Sequence, residues 1–400
     1  MEVVKQVLQE IQLEQRSSSP GVPPARQPLQ HAAAARQQQP FTFGPGGKAL
    51  QPPVKRGISR RAVIIGLAGV AAVGGGVAWL AFAQGSQGPQ ALPATPAPTS
   101  YVDPYQLYTY RGHRSPVYAV AWFPDGDYIA SGEQDGTMQM WVARSTTRGS
   151  LVFQVNTSPV YAVAWSPDGS HIASGGEDGT VQVWNAITGR KVFTYKGHAD
   201  VVNAMDWSPD GKRIASGSYD NTVQVWDAAT GGNVLSYTGH SDSVLAVAWS
   251  PDGRHIVSGS RDYTVQVWDA FTGMRVLTYG GHSGPVDALA WSPDGKHIAS
   301  GSKDSTVQVW DAFIGGNIFT YKGHAGVVEA VDWSPDGRYI VSGSDDETAQ
   351  VWDASTGRTV LTYKGHSNTV LAVAWSPDGR LIASGSKDST VQEWIAPLAP

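Results

Sequence analysis

The chain has 400 residues, 46 glycines, 15 tryptophans, no cysteine and a formal net charge of −5. Without cysteine, disulfide scaffolds, thiol nucleophiles and cysteine-ligated metals are excluded. Residues 1–100 hold 9 Lys/Arg against 3 Asp/Glu, whereas residues 101–400 hold 20 against 31, and this acidic balance of the C-terminal part argues against a nucleic-acid partner, whose phosphates call for a basic surface.

In chain order, residues 1–16 place Val3, Val4, Val7, Leu8 and Ile11 at helical spacing, which predicts a short amphipathic helix. Residues 17–61 are basic and rich in Pro, Gln and Ala, a composition that reads as a disordered tether. From Ala62 to Ala83 run 22 residues without a charge; as a helix they would span about 33 Å, enough to cross a hydrocarbon core of about 30 Å. Lys55, Arg56, Arg60 and Arg61 precede this run and no charge follows it until Asp103. The positive-inside rule therefore predicts a single-pass signal anchor with a cytoplasmic N-terminus and everything after it extracytoplasmic. The stretch "SRRAVII" resembles a bacterial twin-arginine export signal, with Val63 and Ile65 departing from it. Ala81-Phe82-Ala83 fits a cleavage site, but the apolar run is longer than a signal peptide's, which favours an uncleaved anchor. Residues 84–104 form a Pro/Gly-rich linker.

Residues 105–395 repeat themselves. A histidine precedes a tryptophan by 28 residues at His113/Trp141, His198/Trp226, His240/Trp268, His282/Trp310, His324/Trp352 and His366/Trp394, and a seventh copy ending at Trp184 has Asn156 in place of the histidine. The last five copies recur every 42 residues, the period of a four-stranded propeller blade. Within a copy, "VNAMDW", "RIASGS", "TVQVW" and "KVFTY" are strand-like, and "SPDG" supplies a tight hairpin. The chain stops soon after Trp394, so "YQLYTY" (Tyr105 to Tyr110) is expected to complete the last blade, which would otherwise expose an unpaired edge. The fold class that follows is all-β, a seven-bladed β-propeller preceded by a disordered tether and one transmembrane helix.

Six of the seven copies also carry His, Ser and Asp, the side chains of a hydrolytic triad. So many near-identical candidates indicate architecture instead. Gly-His, then "SPDG", then "SGSxDxTVxVWD" resembles the WD-40 repeat. The resemblance implies buried hydrogen-bond tetrads: His113, Ser131, Asp135, Trp141; His198, Ser216, Asp220, Trp226; His240, Ser258, Asp262, Trp268; His282, Ser300, Asp304, Trp310; His324, Ser342, Asp346, Trp352; and His366, Ser384, Asp388, Trp394. The chemistry agrees, since an imidazole can link a carboxylate to a hydroxyl that in turn accepts from an indole.

Positions fixed in all copies serve the blade; positions that differ are free to recognise something. Comparing the copies selects Tyr118, Tyr161 and Tyr219 on one side of the ring, Asp287, Glu329 and Asp345 on the other, and also Arg261 and Lys303, as partner-binding candidates. The first two blades and the last are irregular, with Val142, Asn185 and Ile395 after the tryptophan and Glu393 before it. No catalytic, cofactor-binding or metal-ligating set stands out, and no small-molecule substrate is indicated. The reading is a non-catalytic, membrane-anchored scaffold that binds protein or peptide and not nucleic acid. Bacterial membrane-anchored WD-repeat proteins, some of which follow a serine/threonine kinase, are similar in layout and suggest the sensor half of a receptor as an alternative. A propeller hydrolase or lectin is a second alternative.

Overall fold

A computed structural model describes residues 103–145, 150–155 and 159–397. The amphipathic segment 1–16, the tether 17–61, the apolar run 62–83, most of the linker 84–104 and Asn156 lie outside the described residues. Among the described residues, no helix is long and apolar enough to cross a membrane.

The described chain forms 28 strands in seven antiparallel sheets of four. Six sheets are contiguous in sequence: blade 1 (residues 117–154), blade 2 (160–195), blade 3 (202–237), blade 4 (244–279), blade 5 (286–321) and blade 6 (328–363). Blade 7 takes three strands from residues 370–395 and its outer strand from Gln106–Tyr110, which pairs with Val391–Ile395. The ring is thus closed by the two ends of the repeat region, as the sequence predicts.

Each blade begins with an inner strand ending in tryptophan, and these seven residues stitch the ring together. Trp122 donates its indole N–H to the Ala374 carbonyl of blade 7 at 3.0 Å, and Trp165, Trp207, Trp291 and Trp333 donate to Ala121, Ala164, Ala248 and Ala290 of the preceding blade at 3.1 to 3.3 Å. Two junctions differ because the preceding blade carries Asp206 or Asp332 where the others have alanine. There the carboxylate accepts the backbone N–H of Trp249 or Trp375, both at 2.8 Å, and the two indoles make no bond. Burial, only partly offset by these N–H groups, pushes Asp206 up to about 6 and Asp332 up to about 7.

Blades pack closely. A Cβ on Gly217 of blade 3 would fall 2.6 Å from Val247 and 2.7 Å from Val244 of blade 4, so the glycine of the repeated "SGS" is a contact requirement. Between blades lie Val, Ile, Ala and the large aromatics, with Trp226, Trp268, Trp310, Trp352 and Trp394 fully buried.

Every inner strand contains a register shift at its second residue: between Val117 and Ala119, Val160 and Ala162, Val202 and Ala204, Val244 and Ala246, Val286 and Ala288, Val328 and Ala330, and Val370 and Ala372. A bulge leaves its extra residue outside the ladder and re-aims that side chain. The residues so released are Tyr118, Tyr161, Asn203, Leu245, Asp287, Glu329 and Leu371.

Deleting Tyr105–Tyr110 should strip blade 7 of its outer strand and expose an unpaired edge. The expected outcome is a thermal midpoint lower by at least about 5 °C, or aggregation, in differential scanning fluorimetry. An unchanged melting curve would contradict closure by this strand.

Candidate functional site: the blade networks and the axial mouth

The repeated polar residues meet in the geometry of a catalytic triad. In blade 3, His198 Nδ1 donates to Asp220 Oδ2 at 2.9 Å, and Ser216 Oγ donates to His198 Nε2 at 2.8 Å. The same pair of contacts joins His240 to Asp262 and Ser258, His282 to Asp304 and Ser300, His324 to Asp346 and Ser342, and His366 to Asp388 and Ser384, all at 2.8 to 2.9 Å. These are the distances of a nucleophile, base and orienting acid. However, each of these serines is 0% exposed, so its hydroxyl reaches no substrate. The aspartate also caps the following turn, accepting from Thr222 Oγ1 at 2.7 Å and from the Ala199 N–H at 3.0 Å in blade 3.

Two parts of the expected tetrads differ. In blade 1 the histidine's carboxylate is Glu133, not Asp135. Glu133 Oε1 accepts from His113 Nδ1 at 2.8 Å, Thr137 Oγ1 at 2.6 Å and Gln139 Nε2 at 2.7 Å, while Asp135 accepts from the Thr137 N–H at 2.9 Å. Blades 3 to 7 have serine at the Glu133 position; the longer acid reaches the ring first and displaces Asp135 from it. The signal was readable as a departure within one column of the repeats.

The tryptophan end of the network is made in only some blades. Trp184, Trp226 and Trp394 donate to Ser174, Ser216 and Ser384 at 3.1 to 3.2 Å. Trp141, Trp268, Trp310 and Trp352 find no acceptor. Six of these indoles stack on a tyrosine of the neighbouring outer strand, Trp141 on Tyr110 at 4.0 Å. The ring centroids are 4.3 and 4.6 Å apart at Tyr195/Trp226 and Tyr363/Trp394 but 4.7 to 4.9 Å at Tyr237/Trp268, Tyr279/Trp310 and Tyr321/Trp352. The stacking tyrosines donate in turn to a glutamine of the next blade, as Tyr195 does to Gln224 Oε1 at 2.5 Å.

Burial alone would raise the aspartates of these networks. The bonds from His and Thr outweigh it and hold Asp220, Asp262 and Asp346 well below the usual carboxylate range, Glu133 at about 2 and Asp388 at about 2. Glu393, buried in blade 7 and accepting the Arg144 N–H of blade 1 at 2.8 Å, is pushed up by burial to about 7.

The other feature is a cavity of about 420 Å³ on the ring axis. Its wall contains all seven bulge residues, together with Tyr219, Arg261 and Lys303 from the turns between second and third strands. The structure thus brings seven of the eight partner-binding candidates together. Asp345 is not part of this wall; it is exposed, accepts from Thr369 Oγ1 at 2.9 Å and pairs with Lys387 at 3.7 Å. Tyr118 and Tyr161 lie tilted against each other at 54°, centroids 5.0 Å apart, and the Arg261 guanidinium lies 5.2 Å over the Tyr219 ring. The opposite end of the blades also varies, with Phe271, Met274, Phe313 and Ile314 exposed in adjacent loops of blades 4 and 5.

Comparison with known proteins places the repeats. The family described as "WD domain, G-beta repeat" matches residues 104–142, 273–311, 315–353 and 357–394, and the family "IFT122 first beta-propeller" matches residues 159–270. The "Serine-threonine kinase receptor-associated protein" of Bos taurus, and likewise those of Rattus norvegicus and Homo sapiens, is 44% identical over 36 residues, which is 9% of this chain and 10% of theirs. The chain therefore spans about a tenth of the length of the curated relatives it matches.

Replacing Ser216 by Ala should strand both His198 and Trp226, whereas Ser258→Ala strands only His240. The expected costs are about 1–3 kcal/mol each, larger at Ser216 by about 1 kcal/mol, measured by urea denaturation. The titrating groups also set a pH optimum. Asp206, Asp332 and Glu393 have folded pKa values raised above the unfolded carboxylate value of about 4, so their unfavourable contribution disappears as pH falls through 7 and 6. The depressed acids of the networks contribute stability that is present above about 4 and lost as pH falls toward 2. The thermal midpoint should therefore rise from about pH 8 to about pH 5 and fall below about pH 4; a monotonic rise with pH would contradict these assignments.

Proposed function

The chain is built of WD40 repeats closed into a seven-bladed β-propeller, and we propose that it is a non-catalytic scaffold that binds a protein or peptide partner at the axial mouth. WD40 propellers generally bind proteins. The observation that carries the choice of surface is the bulge in every inner strand. The same backbone device delivers Tyr, Tyr, Asn, Leu, Asp, Glu and Leu to one cavity, so the fold is repeated while the presented chemistry is not. Half-buried tyrosines that lack a role in the blade supply contact area at low conformational cost.

The scaffold is further proposed to be membrane-anchored, with the propeller extracytoplasmic. What supports this is the uncharged run from Ala62 to Ala83 with its basic N-terminal flank. The acidic balance of residues 101–400 supports a partner other than nucleic acid.

Tyr118→Ala combined with Tyr161→Ala should leave the melting temperature within about 2 °C of the parent and weaken binding to the partner by at least about tenfold, measured by surface plasmon resonance on a partner recovered with the parent chain. Normal binding by this double variant would place recognition elsewhere. For the anchor, protease added to intact cells should digest the propeller and spare the N-terminal 61 residues; full-length chain recovered in the soluble fraction would refute it.

A further inference from the structure

The chemistry of the axial mouth is divided between two sides. Blades 1 to 3 contribute Tyr118, Tyr161 and Tyr219; blades 5 and 6, across the axis, contribute Asp287 and Glu329. Asp287 Oδ2 is buried and has no hydrogen-bond partner. A carboxylate oxygen withdrawn from water without a donor is costly, and protonation alone does not supply one.

The charged groups facing Asp287 are Lys303, Glu329, Arg261 and Asp345. Neither cation is within ion-pair distance among the described residues. Arg261 instead lies over the Tyr219 ring, and Lys387, the next cation round the ring, pairs with Asp345 at 3.7 Å. The mouth therefore holds a buried acceptor, a second carboxylate one blade away and an aromatic wall opposite, and among the described residues neither Lys303 nor Arg261, which share the wall, forms an ion pair with either acid.

We infer that the axial mouth receives one cationic side chain of a protein partner, a lysine ammonium or an arginine guanidinium, with its charge on Asp287 and Glu329 and its methylene stem along Tyr118 and Tyr161. The acids supply charge-assisted acceptors. The tyrosines supply apolar surface for the stem and π faces for the charge. This rests on the mouth being the partner-binding surface, and adds the chemistry of the group that enters it.

The inference has a pH signature. Burial, reinforced by Glu329 and Asp345 and opposed by Lys303 and Arg261, pushes Asp287 up to about 7, and burial also raises Glu329. Below about 7 the entering cation must displace a proton, so affinity should rise with pH through this range and level off above it.

The test uses the full-length chain in detergent and fluorescein-labelled heptapeptides that differ only in a central Arg, Lys or Gln. Fluorescence anisotropy should show the Arg and Lys peptides binding at about pH 8 and weakening by up to about tenfold at about pH 6, with the Gln peptide not binding. Asp287→Asn, near in shape and checked for an unchanged melting temperature, should weaken the cationic peptides at about pH 8 and abolish the pH dependence. Equal binding of the Gln peptide, no binding of either cationic peptide, or a pH dependence that survives Asp287→Asn would overturn the inference. Binding of n-butylammonium as tight as that of the peptides would also overturn it, assigning the site to a free amine. A partner lost with the Tyr118/Tyr161 double variant but indifferent to Asp287→Asn would leave the mouth as the binding surface and remove only the cation.

Discussion

The pairing of Gln106–Tyr110 with Val391–Ile395 is the contact on which the rest of the molecule depends. Seven four-stranded sheets arranged around an axis need every edge satisfied, and the seventh is completed by chain from the other end of the repeat region. Once closed, each inner strand is clasped to its predecessor near its tryptophan, through an indole or through Asp206 and Asp332. The axial cavity is then a fixed geometric object, whose wall cannot spread without breaking a junction.

That rigidity separates two kinds of residue. The His–carboxylate–Ser contacts recur in blade after blade with nearly constant distances and no exposed hydroxyl, so they stabilise turns and hold strands in register. The bulge residues sit at one structural position and differ chemically. Keeping the first set constant lets the second vary at little energetic cost, because a side chain released from the ladder is not needed by the blade.

The period of 42 residues, the turns, the ring closure and seven of the residues that line the axial cavity were legible in the sequence, since each depends on local pattern or on comparing copies. Less legible were features set by one blade acting on the next. Asp206 and Asp332 look like drift at an alanine column, yet each accepts a backbone N–H across a blade boundary. Glu133 displaces Asp135 because a longer acid two residues earlier reaches the same imidazole. Whether an indole reaches its serine is not encoded by residue type, since Trp226 donates to Ser216 while Trp268, in the same "VQVWD" strand sequence, finds no acceptor. Asp345 occupies the same turn position as Tyr219, Arg261 and Lys303, but pairs with Lys387 instead of lining the cavity.

The central claim is that recognition occurs where the seven bulges converge. It is tested most directly by placing a photoreactive benzophenone amino acid at Tyr161, in the mouth, or at Phe271, on the opposite face, and irradiating living cells that express each chain. The account predicts a discrete covalent adduct with a second protein from position 161 and none from position 271. An adduct from position 271 alone would contradict it.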